Sequence, residues 1–82
     1  MVAGRVQGVF FRDSCRRAAE SEGVSGSARN LPDGRVEVIL EGAPDPVERM
    51  VEWCRRGPSH AVVESVEVET QAPEGLTGFT TT

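Results

Sequence analysis

Lysine and tyrosine are absent from this chain of 82 residues, and cysteine and histidine are scarce, with two and one residues respectively. All nine basic side chains are arginines, which we attribute to genomic base composition. Two cysteines are too few for a disulfide framework, and neither Cys15 nor Cys54 lies at a spacing that predicts a structural metal. No apolar run approaches the roughly 18 residues that cross a membrane, and the N-terminus lacks a signal-peptide core. We therefore expect a cytoplasmic protein with no membrane partner.

The charge balance is acidic, because nine basic against thirteen acidic side chains give a net charge of −4. Nucleic-acid binding depends mainly on a basic surface that neutralises phosphates, so this balance argues against a nucleic-acid partner. An anionic ligand would have to be held by a local site rather than by the overall field. At this length, with 38% hydrophobic residues, we expect a single domain over residues 1–82 that acts as a monomer.

The spacing of apolar residues predicts strands and helices in the order βαββαβ. The predicted elements are a strand over Val2–Val6, a helix from Phe11 to about Glu22, strands over Ser25–Leu31 and Arg35–Glu41, a helix from Asp45 to Arg56, and a strand over Ala61–Thr70. The turn Pro32-Asp33-Gly34 predicts a hairpin between the two middle strands. This order is typical of an α+β protein with a ferredoxin-like sandwich, in which an antiparallel sheet carries two helices on one face.

Finer expectations concern the ends of these elements. Asp45 is expected to cap the second helix, with Pro46 at its first helical position. In the last strand Val66 and Val68 are expected to point inward, with a bulge or a late start near Glu64. The tail after Thr70 is loop-like, except that Phe79 is suited to anchor a short edge strand.

The loop between the first strand and the first helix is the segment most suited to chemistry. Gly4 and Gly8 let the chain curl, so that the backbone N–H groups of residues 7–12 can line one concavity at the helix N-terminus. A cation such as Arg12 in the first helical turn is unfavourable for the helix dipole, unless its guanidinium reaches a bound phosphate. From the pattern alone, an ordinary strand–helix loop with a surface arginine remains an alternative to a phosphate cradle.

Two segments resemble signatures of the acylphosphatase family. The first reads Val2-Ala3-Gly4-Arg5-Val6-Gln7-Gly8-Val9-Phe10-Phe11-Arg12, and the second reads Gly26-Ser27-Ala28-Arg29-Asn30-Leu31-Pro32-Asp33-Gly34-Arg35-Val36 and closes at Gly42. The family has the ferredoxin-like fold that the pattern predicts independently. One departure is Ser27, which occupies a position where the family usually has an aromatic residue. We expect its small side chain to thin the packing behind Asn30. A second is the first strand, which has only three residues before Gly4.

The resemblance implies hydrolysis of acyl phosphates, which are carboxyl–phosphate mixed anhydrides, to a carboxylate and inorganic phosphate without a metal or cofactor. Arg12 matches the family's phosphate-binding arginine, and Asn30 matches the asparagine that positions the attacking water. The backbone amides of Gln7, Gly8, Val9, Phe10, Phe11 and Arg12 would hold the phosphoryl oxygens. The implied partners are a small acyl phosphate and inorganic phosphate. The alternative is a noncatalytic module that binds phosphate or carbamoyl phosphate.

The remaining candidates have plainer interpretations. His60 is expected to be a loop residue, and Trp53 a packing residue. Cys15 and Cys54 lie on the apolar stripes of the two helices, where they are either buried thiols or, if the helices pack side by side, a disulfide. Phe10 either packs or lines the mouth of the loop.

Overall fold

The computed structural model describes residues 1–8 and 10–82, and Val9, one of the predicted phosphate-binding positions, lies outside the described residues. The elements are β1 (Val2–Arg5), α1 (Phe11–Glu22), β2 (Ser25–Asn30), β3 (Val36–Glu41), α2 (Pro44–Arg56), β4 (Val62–Val66) and β5 (Phe79–Thr81). The predicted order is confirmed, and the short strand at Phe79 adds a fifth strand to it. None of the helices in the described part of the chain is both long and apolar enough to span a membrane.

The five strands form one sheet in the order β4-β1-β3-β2-β5. The first four strands along the chain pair antiparallel, as predicted, whereas β5 runs parallel to β2 at the edge, so the complete sheet is mixed. Between β1 and β4 the register shifts, because Ala3 pairs with Ser65 and Gly4 pairs with Val63. Glu64 is therefore the extra residue of a bulge, at the position where the sequence pattern slips.

Both helices contact each other and the sheet around one core, so they cover the same face. Val36, Val38 and Leu40 of β3 belong to this core, whereas Ile39 between them is exposed on the other face. The core residues buried to 7% exposure or less are Val2, Val6, Phe11, Cys15, Ala19, Val24, Ala28, Val36, Met50, Cys54 and Phe79. Both cysteines are free thiols.

The predicted start of α2 is wrong by about two residues. Its N-cap is Ala43, whose carbonyl oxygen accepts a 3.1 Å hydrogen bond from the Val47 N–H, and Asp45 lies inside the first turn. Pro44 and Pro46 both fit this turn. Proline has no N–H to donate, and the first N–H groups of a helix have no intrahelical acceptor, so no hydrogen bond is lost. The acidic side chain of Asp45 still lies at the positive end of the helix.

The last predicted strand is too long, and the inward orientation predicted for Val68 is wrong. Strand β4 ends at Val66, and Val68 is 56% exposed. The partner strand explains this end, because Val66 pairs with Val2, the first residue of β1. One further pair of backbone hydrogen bonds joins Met1 to Glu67, and the residues after Glu67 have no neighbour in β1.

Candidate active site

A cavity of about 270 Å³ opens between the β1–α1 loop, the end of β2 and the end of β5. Its lining residues are Val6, Gly8, Phe10, Phe11, Arg12, Asp13, Asn30 and Thr81. Arg12 and Asn30, the two residues with predicted catalytic roles, are thus brought together from the first helix and the second strand. A larger, shallower depression along α1 and α2 contains none of the predicted site residues.

The β1–α1 loop reaches the cavity through left-handed backbone at Gly8, with φ of 73°, and at Phe10, with φ of 60°. The first hydrogen bond of α1 runs from the Ser14 N–H to the Phe10 carbonyl oxygen at 3.0 Å. The amides of residues 11–13 therefore have no acceptor within the helix, and no side-chain cap takes their place at this end of α1. These amide donors and the positive end of the helix dipole make this edge of the cavity suitable for an anion.

The guanidinium of Arg12 is oriented by a backbone contact with Thr82. Its Nη1 donates a 2.5 Å hydrogen bond to the backbone carbonyl oxygen of Thr82, whose own N–H donates to the Ala28 carbonyl oxygen at 3.1 Å. Because a guanidinium carries five N–H donors, this contact leaves others for a ligand in the cavity.

Asn30 is the last residue of β2 and pairs with Val36 of β3. Its side-chain oxygen Oδ1 is buried, and among the described residues it has no hydrogen-bond donor. A buried amide oxygen without a donor costs free energy, so such atoms are rare in folded proteins and are found at functional sites. Asn30 lines the same cavity as Arg12, and an amide oxygen without a donor is chemically suited to accept a hydrogen bond from a small polar molecule.

Asp13 is a cavity-lining carboxylate that sequence analysis did not single out. Hydrogen bonds from Arg16, and next from Arg17, lower the pKa of Asp13 below its usual value. The Arg16 hydrogen bond measures 2.7 Å. A carboxylate held in its ionised form is a weak base, and its two arginine partners reduce its repulsion of an anion in the cavity.

The other predicted phosphate-binding residues divide by what their side chains do. The side chain of Phe11 is 1% exposed and packs edge-on against Trp53, with ring centroids 5.3 Å apart, so only its backbone amide is suited to bind an anion. Gln7 does not line the cavity. Its side chain instead donates to the carbonyl oxygens of Leu31 and Arg35, on either side of the β2–β3 turn.

Thr81 is a cavity residue that sequence analysis missed, because it lies in a tail with little apolar pattern. It lies on β5, where it pairs with Ala28. The segment leading into β5 is held by Glu41, whose carboxylate accepts backbone N–H groups of Glu74, Gly75 and Leu76. Phe79, the buried residue of β5, was the only signal in the sequence for this arrangement.

These features define a small α+β protein of the ferredoxin-like class with a cavity suited to an oxyanion. The sequence model of the acylphosphatase family matches residues 1–81, and the chain belongs to this family. The enzymatic activity predicted from the two signatures is thereby confirmed: the chain hydrolyses acyl phosphates.

Individual relatives agree with this assignment. The chain is 56% identical over 78 residues to an acylphosphatase from Gloeobacter violaceus. The aligned region covers 95% of this chain and 84% of the relative. It is 61% identical over 79 residues to an acylphosphatase from Rubrobacter xylanophilus, and that aligned region covers 95% of this chain and 72% of the relative. The structure of an acylphosphatase from Coxiella burnetii is similar with a TM-score of 0.94 and 38% identity, over 99% of this chain and 85% of that chain.

Proposed function

We propose that acyl phosphates are hydrolysed in the cavity that Arg12 and Asn30 share, with Arg12 holding the phosphoryl group and Asn30 holding the attacking water. The observation that carries this proposal is that Asn30 lines the same cavity as Arg12 and that its buried Oδ1 has no donor among the described residues. A water molecule that donates to this oxygen would satisfy it and would be fixed beside the bound phosphoryl group.

The phosphoryl group is bound by charge-assisted hydrogen bonds. The free donors of Arg12 and the backbone amides at the start of α1 surround its oxygens and stabilise the negative charge of the transition state. Phosphoryl transfer requires positioning and charge stabilisation more than covalent help, and a carboxylate is a good leaving group. This cavity therefore supplies what the reaction needs without a strong general acid.

In the step itself, the water oxygen forms a bond to phosphorus as the bond from phosphorus to the acyl oxygen breaks. The electron pair of that bond leaves with the carboxylate. Asn30 cannot accept a proton at neutral pH, and Asp13 is kept ionised and weakly basic by Arg16 and Arg17. We propose that the water proton moves to an oxygen of the phosphoryl group, which leaves as inorganic phosphate.

The reaction is proposed to need no metal ion. Arg12 and the amides of α1 supply the positive charge that a metal would otherwise provide. Residues 1–8 and 10–82 contain no cluster of three or more His, Cys, Asp or Glu residues that could hold one. Nothing in the comparisons favours the noncatalytic alternative, a module that binds phosphate or carbamoyl phosphate.

The test is phosphate release from acetyl phosphate by the purified chain, with and without excess EDTA. We expect equal rates under both conditions and competitive inhibition by inorganic phosphate. A rate that disappears with EDTA and returns with Mg²⁺ would contradict the metal-free step. Binding of phosphate without any turnover would support the noncatalytic alternative.

A cytoplasmic location is also proposed. The two free thiols support it, because oxidising compartments favour disulfides. Action as a monomer without a nucleic-acid partner stays a prediction, which gel filtration with and without added RNA would check.

A further inference from the structure

Phe10 is a large apolar residue at the cavity, and the catalytic chemistry does not explain why its side chain is exposed. It is 79% exposed, whereas Phe11 and Phe79, the other two phenylalanines, are 1% and 7% exposed. Leaving an aromatic side chain in water forgoes the free energy that burial would provide. The adjacent Phe11 occupies the core position, so Phe10 is not needed to fill the core.

The backbone holds Phe10 in a conformation that is unusual for a bulky side chain. Among the described residues, Phe10 is the only one other than glycine with positive φ, at 60° with ψ of 26°. Its carbonyl oxygen accepts the first hydrogen bond of α1, so the helix start fixes this conformation. Left-handed backbone at an aromatic residue costs free energy and is concentrated at ligand-binding positions.

The size of the cavity determines where the organic part of a substrate must lie. A volume of about 270 Å³ is below the range of roughly 300–1,000 Å³ that encloses most small-molecule ligands. A phosphoryl group bound at Arg12 and the amides of α1 takes up part of this space. A bulky acyl group attached to it therefore extends toward the rim, where Phe10 lies.

We propose that Phe10 forms an acyl-binding subsite, and that the chain prefers acyl phosphates whose acyl group is aromatic or bulky and apolar over acetyl phosphate. This inference rests on the proposed function of the cavity and adds a substrate class to it. Stacking or edge contact with the Phe10 ring stabilises such an acyl group, whereas an acetyl group is too small to make this contact. The side chain of Phe10 thereby acts on specificity, while Arg12 and the backbone amides make the phosphoryl contacts.

The test compares kcat/KM for benzoyl phosphate and acetyl phosphate in the natural chain and in Phe10→Leu and Phe10→Ala. We expect Phe10→Ala to lower the benzoyl phosphate value by about three- to ten-fold, with Phe10→Leu in between. Because the Phe10 amide is also a predicted phosphate-binding group, the loss is read from the ratio of the benzoyl phosphate value to the acetyl phosphate value, in which an effect on phosphoryl binding cancels. Val68→Ala is the matched control, because Val68 is 56% exposed and does not line the cavity.

A binding experiment separates failure of the subsite from failure of the proposed function. Benzoylphosphonate and acetylphosphonate carry a stable carbon–phosphorus bond, and their affinities are measured by calorimetry with the same variants. A larger loss of affinity for benzoylphosphonate than for acetylphosphonate in Phe10→Ala supports the subsite even if neither phosphate is hydrolysed. Equal effects on the benzoyl and acetyl compounds, or no effect on either, would overturn it. A ring used instead to contact a protein partner would give that second result.

Discussion

The side-chain amide of Gln7 donates a 2.8 Å hydrogen bond to the backbone carbonyl oxygen of Leu31. Its second N–H donates to the Arg35 carbonyl oxygen at 3.0 Å, so one side chain bridges both sides of the β2–β3 turn. Leu31 directly follows Asn30, and Gln7 lies in the loop between β1 and α1 that leads to Arg12. The two segments that bring Arg12 and Asn30 to the cavity are thus joined by a side chain that does not line it.

Replacement of Gln7 by leucine should loosen this junction. The substitution removes two partly buried hydrogen bonds, although the Leu31 and Arg35 carbonyl oxygens each keep one backbone donor, so we expect the free energy of unfolding to fall by about 1–3 kcal/mol. Because Leu31 adjoins Asn30, turnover should fall by a larger factor than phosphate affinity. Urea unfolding, kcat and the phosphate inhibition constant measure these effects. Gln71→Leu is the control, since Gln71 is exposed. A Gln7→Leu chain as stable as the natural one would contradict a bridging role.

A side chain at Gly26 should be far more costly than one at Gly34. Gly26 lies in β2 with φ of 150°, and a Cβ there would overlap the backbone carbonyl of Ile39 in the paired strand. At Gly34, with φ of 94°, a Cβ meets nothing within 4 Å. We expect Gly26→Ala to cost more than about 3 kcal/mol or to prevent folding, and Gly34→Ala to cost only about 1–2 kcal/mol of backbone strain. Equal melting temperatures for the two variants would contradict this β2–β3 register.

The stability of the chain should fall as the pH rises above about 9. A hydrogen bond with Cys54, and next burial, raises the pKa of the Cys15 thiol above its ordinary value of 9.0, while the same hydrogen bond lowers the pKa of Cys54. The direction for Cys15 decides the effect, because burial disfavours ionisation of both thiols and the pair therefore retains a proton. The folded state therefore keeps this proton at a pH where the unfolded state has released it, and the free energy of unfolding decreases with pH, by at most about 1.4 kcal/mol per unit for each proton. This stabilisation is complete below pH 9 and is lost above it.

The composition makes this effect measurable, because the chain contains no Lys and no Tyr that would titrate in the same range. Urea unfolding under reducing conditions at a series of pH values gives the slope. Cys15→Ala lowers stability at every pH through its cavity, but it should also make the slope shallower. An unchanged slope in that variant would show that Cys15 is not the group responsible.

Local signals predicted most of the fold, whereas contacts distant in sequence could not be predicted. The apolar spacing that predicts a helix from Phe11 to about Glu22 acts within one helix, and the structure confirms both ends. The orientation of Val68 depends on where its partner strand β1 begins, and nothing near Val68 in the sequence contains that information. The same reason explains why Thr81 was missed at the cavity, since it arrives there through pairing with Ala28.

The candidate site was predictable only in part. Arg12 and Asn30 were identified through the resemblance of two separate segments to family signatures, and the fold brings both residues to one cavity. The bridging role of the Gln7 side chain was not predictable, because the signature suggested only its backbone amide. The ion pairs that keep Asp13 ionised lie just beyond the first signature, on the helix surface.

The central claim is that Arg12 and Asn30 perform different parts of one reaction, and phosphate inhibition measured beside turnover tests it most directly. Arg12→Ala should weaken phosphate inhibition and lower kcat/KM together, by about 30-fold or more, and Arg12→Lys should recover little because a point charge cannot form the bidentate contact. Asn30→Ala should lower kcat by about 100-fold or more while the phosphate inhibition constant stays within about two-fold, since its contact is made to the water. A folded Asn30→Ala chain with undiminished turnover, or one that loses phosphate binding and turnover in equal measure, would contradict the account.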